Sequence, residues 1–161
     1  MRLDNEIKLD YKDVLLKPKR STLSSRRDVE MTRSFTFRNS GETYECCPIV
    51  ASNMDGVGTF SMAKVIQDYK MMTTITKTTT IDQWKKAVGE GIKLKYLSVC
   101  TGTGKLWDDD AEDYATMQKV LKSYPDVKFI TIDVANGYHT NFSDFVGAVR
   151  EEYPDKTIIA G

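Results

Sequence analysis

PIVASNMDGVGTFSMAKVIQDYKMMTTIT, residues 48–76, reads as apolar segment, polar loop, helix-like stretch and second apolar segment. PIVAS (48–52) and MMTTIT (71–76) are short and rich in branched residues, as buried strands are. The interval TFSMAKVIQDY places Met62, Val65, Ile66 and Tyr69 on one helical stripe, with Thr59 as its N-cap. The same rhythm continues with LKYLSVC (94–100), VKFITID (127–133) and KTIIA (156–160). Successive segments start 23, 23, 33 and 29 residues apart, the length of a strand, a helix and two loops. That spacing predicts a parallel α/β architecture.

The intervening stretches support it. Thr80 caps IDQWKKAV, with Ile81, Trp84 and Val88 facing inward and Lys85 and Lys86 outward. An acidic DDDAED start suits the positive end of a helix and precedes Tyr114, Met117, Leu121 and Tyr124 at helical spacing. Phe142, Phe145, Val146 and Val149 form the last stripe, ending near Tyr153–Pro154. Upstream, SFTF (34–37) and ETYEC (42–46) flank a turn containing Gly41 and predict a β-hairpin. Residues 1–34 read as an ordered loop or extended arm, because Pro18 disfavours a helix through LLKP. The expected division is 1–47 for arm and hairpin and 48–161 for the strand–helix units. Periodicity alone leaves two closures open, a doubly wound sheet or a barrel. The absence of GxGxxG at the first strand–helix junction weighs against the dinucleotide-binding version of the former.

Composition excludes several classes. Lys+Arg and Asp+Glu both number 23, giving zero formal net charge and no support for a general nucleic-acid surface. No run of about 18 apolar residues suggests a membrane span, and the N-terminus lacks an apolar signal core. Cys46, Cys47 and Cys100 form no CxxC pattern, and with His139 the only histidine there is little material for a zinc site. They read as reduced thiols of a cytoplasmic protein, with no metal expected.

In parallel α/β folds chemistry gathers at strand C-termini. Those positions here hold Asn53 and Asp55 of NMDGVG, Lys77, the TGTG of 101–104, and Asp133 of VKFITIDVANGY. Asn53 and Asp55 can hydrogen-bond a ligand or satisfy their own loop, while Gly56 and Gly58 permit close backbone approach. Lys77 can neutralise an anion or move a proton; the alternative is a solvated loop lysine. Thr101, Gly102 and Thr103 can build an amide-rich turn but not a phosphate-binding P-loop. Asp133 can fix a ligand or cap the next helix, and Asn136 and Gly137 are turn residues. Cys100 lies in an apolar strand with no histidine placed to activate it, which favours packing.

Taken in order, KDVLLKPKRSTLSSRRDVEMTRSFTF, PIVASNMDGVGTFSMAKV, Lys77, TGTG, VKFITIDVANGY and DKTIIAG resemble the N-terminal half of the inosine monophosphate dehydrogenase/GMP reductase family, on its reductase side. The resemblance covers essentially the whole chain. It implies a (β/α)8 barrel, here about five parallel strands and four helices, usually assembled as a homotetramer. It further implies NADPH-dependent reductive deamination of GMP to IMP and ammonia through a cysteine on a loop after the sixth strand, beyond Gly161. The serine- and glycine-rich phosphate site also falls there, so a C-terminal half or complementary chain is the expected partner and 161 residues alone are expected to be inactive. Carried over by position, Lys77 and Asp133 are catalytic, Asp133 also organising the nicotinamide side. Thr101, Gly102, Thr103, Asn136 and Gly137 border the cofactor, and Asn53 and Asp55 border the substrate. Two departures stand out. The family's HKHY around the lysine is Thr76-Lys77-Thr78-Thr79 here, and NMDTVG is NMDGVG. A related purine-nucleotide dehydrogenase and a non-catalytic nucleotide-binding or scaffolding half-barrel remain the competing readings.

Overall fold

The computed structural model describes residues 5–104 and 111–161. Residues up to Glu30 form one compact unit and Met31–Gly161 a second. Among its described residues the first unit contains no α-helix, only two single turns at Tyr11–Asp13 and Arg26–Asp28. Each is closed by a reciprocal side-chain cap, Asp10 with Asp13 and Ser25 with Asp28. Asp108–Asp110, most of the expected acidic helix start, lie outside the described residues.

In the second unit a hairpin, β1 (Arg33–Thr36) and β2 (Thr43–Cys46), precedes β3 (Val50–Ala51) and α1 (Phe60–Ile66). Then follow β4 (Met72–Ile75), α2 (Ile81–Gly89), β5 (Leu97–Thr101), α3 (Glu112–Ser123), β6 (Phe129–Ile132), α4 (Thr140–Glu152) and β7 (Thr157–Ala160). All neighbouring strands from β3 to β7 pair in parallel, in the order β3-β4-β5-β6-β7. This sequential order decides between the two closures. A doubly wound sheet reverses its strand order at a switch point so that helices cover both faces. Here every crossover advances by one strand, which places all helices on one side, the arrangement of a (β/α)8 barrel.

Strand alternation then gives each face its own chemistry. Ile75, Leu97, Val99, Ile130 and Ile132 join Ala63, Trp84, Met117, Val120, Leu121, Phe145 and Val149 in one apolar core under the helices. The other face carries Thr74, Ser98, Cys100 and Thr131, all buried. Ser98 and Thr131 share a hydroxyl hydrogen bond of 2.8 Å, and Thr74 lies 3.4 Å from Thr131. Burying hydroxyls without partners would be costly; bonded to one another they form a polar layer.

One expected stripe is corrected. Val65 and Tyr69 are exposed, while Ala63 and Gln67 are buried. Within the helix Ala63 rather than Val65 faces the core, and after Ile66 the chain tightens into a 3-10 turn closed by Lys70 at φ 57°, with Gln67 buried and Tyr69 exposed. Gln67 uses its burial, accepting from Lys93 N at 2.7 Å. The other three stripes follow expectation, with Trp84, then Tyr114, Met117 and Leu121, then Phe145 and Val149 buried. Thr59 and Thr80 cap α1 and α2 as expected.

The hairpin packs across the N-terminal ends of the strands. Tyr44 meets Phe129 edge-on at 4.8 Å and Tyr96 at 6.1 Å, and Phe37 meets Phe129 at 5.5 Å. Ser40 adds a hydroxyl bond to Thr157 at 2.8 Å. The Tyr44 hydroxyl is buried there without a hydrogen-bond partner, and its ionisation is pushed up by burial, then by Cys46 and Tyr96. Removing an orphaned hydroxyl while keeping the ring should help. Tyr44→Phe is expected to raise stability by about 1 kcal/mol, and Tyr44→Ala to lower it by about 3–5 kcal/mol through the lost packing. Thermal unfolding reads both; a destabilised Tyr44→Phe would show that the hydroxyl is satisfied.

Candidate functional site

Opposite the hairpin, the strand C-termini bring together residues far apart in sequence. Asn53 follows β3, and its Nδ2 donates to Asp133 Oδ2 after β6 at 2.9 Å and to Cys100 Sγ in β5 at 3.5 Å. The loop between β3 and α1 is held by backbone bonds: Gly58 N to Met54 O at 2.7 Å, and Thr76 N to Gly58 O at 3.0 Å. Gly58 has to be glycine. A Cβ there would lie 2.4 Å from Thr74 O and 2.8 Å from Asn53 Cα, both backbone atoms. Gly56 is different, because a Cβ there would meet nothing within 4 Å. The threonine of the NMDTVG pattern would therefore fit.

Lys77 is exposed immediately after β4. Its neighbours replace the expected imidazoles with a hydroxyl cluster, in which Thr76 Oγ1 lies 3.2 Å from Thr78 Oγ1 and 3.0 Å from Thr79 Oγ1. Across from it Asp113, in the first turn of α3, accepts from Gly102 N at 2.8 Å and from Tyr114 N at 2.8 Å. A side chain at Gly102 would lie 3.2 Å from both Lys77 Nζ and Asp113 Oδ2, so this glycine lets the charged groups approach the end of β5. Lys77, Thr78, Thr79, Thr80, Glu112, Asp113 and Thr116 line a cleft of about 420 Å³.

The remaining candidates are placed less centrally. Thr101 is fully buried and donates its hydroxyl to Gly102 O at 3.1 Å. Asn136 Oδ1 accepts from Tyr138 N at 3.1 Å, and Gly137 packs near Phe142. Asp55 is exposed and Thr103 half-buried. Asp133 is not a helix cap, because α4 starts at Thr140 and His139 caps it, accepting from Asn141 N. Asp113 escaped the sequence reading. Its only signal was membership of an acidic run, which a helix dipole already explains.

Cys100 is 2% exposed. Burial first, then the charge of Asp133, pushes its thiol up to about 11, against the smaller opposing influences of Lys77 and Asn53. A thiol held protonated is a poor nucleophile. Cys46 is likewise buried and its ionisation raised by burial, then by Cys47; all three cysteines are free. No group of His, Cys, Asp and Glu among the described residues could hold a metal ion. None of the described helices is long and apolar enough to cross a membrane.

Comparison with known proteins places the chain in a family. A family model described as the IMP dehydrogenase / GMP reductase domain matches residues 8–161. GMP reductase 2 of Homo sapiens is 47% identical over 160 residues, covering 99% of this chain and 44% of its own length. A GMP reductase of Klebsiella pneumoniae is 48% identical over 164 residues, covering all of this chain and 45% of its own. The chain thus spans under half the length of these curated relatives. The crystal structure of an inosine 5'-monophosphate dehydrogenase from Legionella pneumophila matches with TM-score 0.70 at 20% identity, over 93% of this chain and 42% of that one. At that identity the likeness concerns the fold.

Two measurements check the local geometry. Gly58→Ala should cost about 1–3 kcal/mol in unfolding experiments through forced backbone movement, whereas Gly56→Thr should stay within about 0.5 kcal/mol of the parent. Equal effects would contradict the close approach assigned to Gly58. For Cys100, iodoacetamide at pH 8 should leave the thiol unlabelled in the folded protein and label it after unfolding. Because its folded pKa lies above the ordinary 9.0, its contribution to stability is complete below about pH 9 and is lost as pH rises through about 11. Rapid labelling of the folded protein at pH 8 would contradict the assignment.

Proposed function

The chain belongs to the IMP dehydrogenase/GMP reductase family, and from that membership we propose that it forms the N-terminal part of the catalytic barrel of an NADPH-dependent GMP reductase. The observation that carries the reading is the 46–48% identity to GMP reductases across essentially the whole chain, joined to the placement of Asn53, Lys77 and Asp133 at one end of the sheet. In the reaction GMP, NADPH and a proton give IMP, NADP+ and ammonia: the C2–N bond of the purine breaks and a C2–H bond forms. NADPH supplies the hydride.

The residues here fit the nicotinamide end of such a cofactor. With both Asn53 amide protons committed within the protein, its Oδ1 is left as an acceptor beside the Asp133 carboxylate. Two acceptors side by side suit the N–H groups of a carboxamide. Gly102 keeps the neighbouring surface open. Lys77 Nζ is the proton carrier we assign to the departing nitrogen, and Asp133 holds and orients groups at the same rim. Thr76, Thr78 and Thr79 keep hydrogen bonding around Lys77 but cannot shuttle protons as imidazoles do. Asp55 and the nearby Thr103, Asn136 and Gly137 complete the proposed substrate and cofactor border.

None of Cys46, Cys47 and Cys100 is suited to be the covalent nucleophile, which we assign to a loop after the sixth strand of the barrel, the one next in order after β7. The rest of an eight-stranded barrel would also cover the apolar bed formed by Phe35, Tyr44, Met72, Phe129 and Ile159 under the hairpin, a hollow of about 240 Å³. A cytoplasmic homotetramer completes the proposal.

The test is made on the complete enzyme containing this chain. GMP-dependent oxidation of NADPH with release of ammonia is expected, and IMP-dependent reduction of NAD+ would favour the dehydrogenase reading instead. Lys77→Ala and Asp133→Ala should each lower kcat by about 10²–10³-fold, the scale of a lost transition-state contact, with the unfolding temperature held within a few degrees. Near-parent turnover in Lys77→Ala at saturating GMP and NADPH would remove its chemical role. A large loss of stability in Asp133→Ala with turnover intact in the folded fraction would assign that residue to the scaffold.

A further inference from the structure

The β3 strand is only two residues long, registered to β4 through Val50–Met72 and Ala51–Thr73. Its ladder therefore ends before Asn53, and something else has to fix that side chain. Asn53 reaches across β4 and β5 to the far side of the rim. It is joined to Cys100 at the end of β5 and to Asp133 just after β6. We propose that Asn53 is a positioning residue for Asp133, and that Cys100 fixes Asn53 by accepting its second amide proton.

Donor and acceptor chemistry gives the direction of each link. An ionised carboxylate only accepts, so the face of Asn53 turned to Asp133 has to be its NH2 group. That group has two protons. One goes to Asp133 Oδ2 at 2.9 Å; the other points to Cys100 Sγ at 3.5 Å. The sulfur can accept because its own proton is used elsewhere: Cys100 Sγ donates to Thr101 O at 3.9 Å. Burial keeps the thiol protonated, so this direction is maintained across the ordinary pH range. The chain of bonds thus runs from a strand carbonyl through a thiol and an amide to a carboxylate at the mouth. Each member has its donors assigned, and the amide cannot flip without turning its oxygen toward the carboxylate and leaving both bonds broken. Through its amide nitrogen Asn53 thus orients Asp133, while its Oδ1 stays turned to the proposed cofactor border.

The activity arm rests on the reductase reading; the spectroscopic arm does not. In the complete enzyme, Asn53→Ala should lower kcat by about 10–100-fold, the scale of a misplaced reacting group, while KM for GMP stays within about threefold. Cys100→Ala should lower kcat by about 3–10-fold, and Cys100→Ser, which restores an acceptor, should recover most of it. In 15N NMR spectra recorded without substrates, the Asn53 side chain should show two inequivalent, slowly exchanging amide protons. Asp133→Ala should shift one of them and Cys100→Ala the other. Equal activities of the alanine and serine variants at position 100, or a raised KM for GMP with kcat intact in Asn53→Ala, would overturn the proposal. So would rapid exchange of both Asn53 amide protons. A parent enzyme without GMP-dependent turnover would sink the reductase reading, and the amide pattern would then decide the positioning role by itself.

Discussion

Sequential strand order is the constraint on which the remainder depends. Because each of β4 to β7 pairs with the strand before it, every helix returns over the same face. That face has to be apolar, and Ile75, Val99, Ile130 and Ile132 supply it together with Trp84, Met117 and Val149. The opposite face is then released from packing helices. It carries Thr74, Ser98, Cys100 and Thr131, an unusual concentration of small polar groups for buried strand positions. At roughly 25 cal/mol per Å² the apolar face provides the driving force, and the polar face provides chemistry at modest cost because its hydroxyls bond one another.

The two ends of the sheet are treated differently for the same reason. At the N-terminal end the aromatic contacts of Phe37, Tyr44, Tyr96 and Phe129 anchor the hairpin on the sheet and bury the Tyr44 hydroxyl without a partner. At the C-terminal end the backbone itself is drawn close, with Gly58 against Thr74 and Gly102 beside Lys77 and Asp113. Glycine at these two positions lets polar side chains from separate loops converge. Rigidity on one end thus supports convergence on the other, which is what a site built on a scaffold needs.

Much of this was legible in the residues. The Trp84, Met117 and Phe145 stripes report burial directly, since a period of 3.6 residues gathers apolar side chains on one helix face. Short branched segments do the same for strands covered on both sides. The α1 stripe fails at Tyr69 because periodicity assumes an uninterrupted helix and this one tightens after Ile66, and at Val65 because small Ala63 takes the core-facing position instead. Strand order was not legible from spacing, because a crossover of given length can lead to either neighbour. At the rim, strand ends pointed to Asn53, Lys77 and Asp133 individually. Their pairing was invisible: Asn53 and Asp133 are 80 positions apart, and nothing local predicts that an amide bridges them. Asp113 is hidden by its acidic neighbours, and the apolar strand around Cys100 signals its burial but not the hydrogen bond its sulfur accepts from Asn53.

The fate of the purine C2 substituent tests the proposed reductive deamination most directly. Turnover by the complete enzyme of GMP carrying 15N in its 2-amino group, with NADPH deuterated at the transferred position, follows both atoms at once. One 15N-labelled ammonia and one IMP deuterated at C2 are expected for each NADPH oxidised. NADPH oxidation without deuterium in the product, or ammonia that carries no label, would contradict the assignment of reductive deamination to this family member.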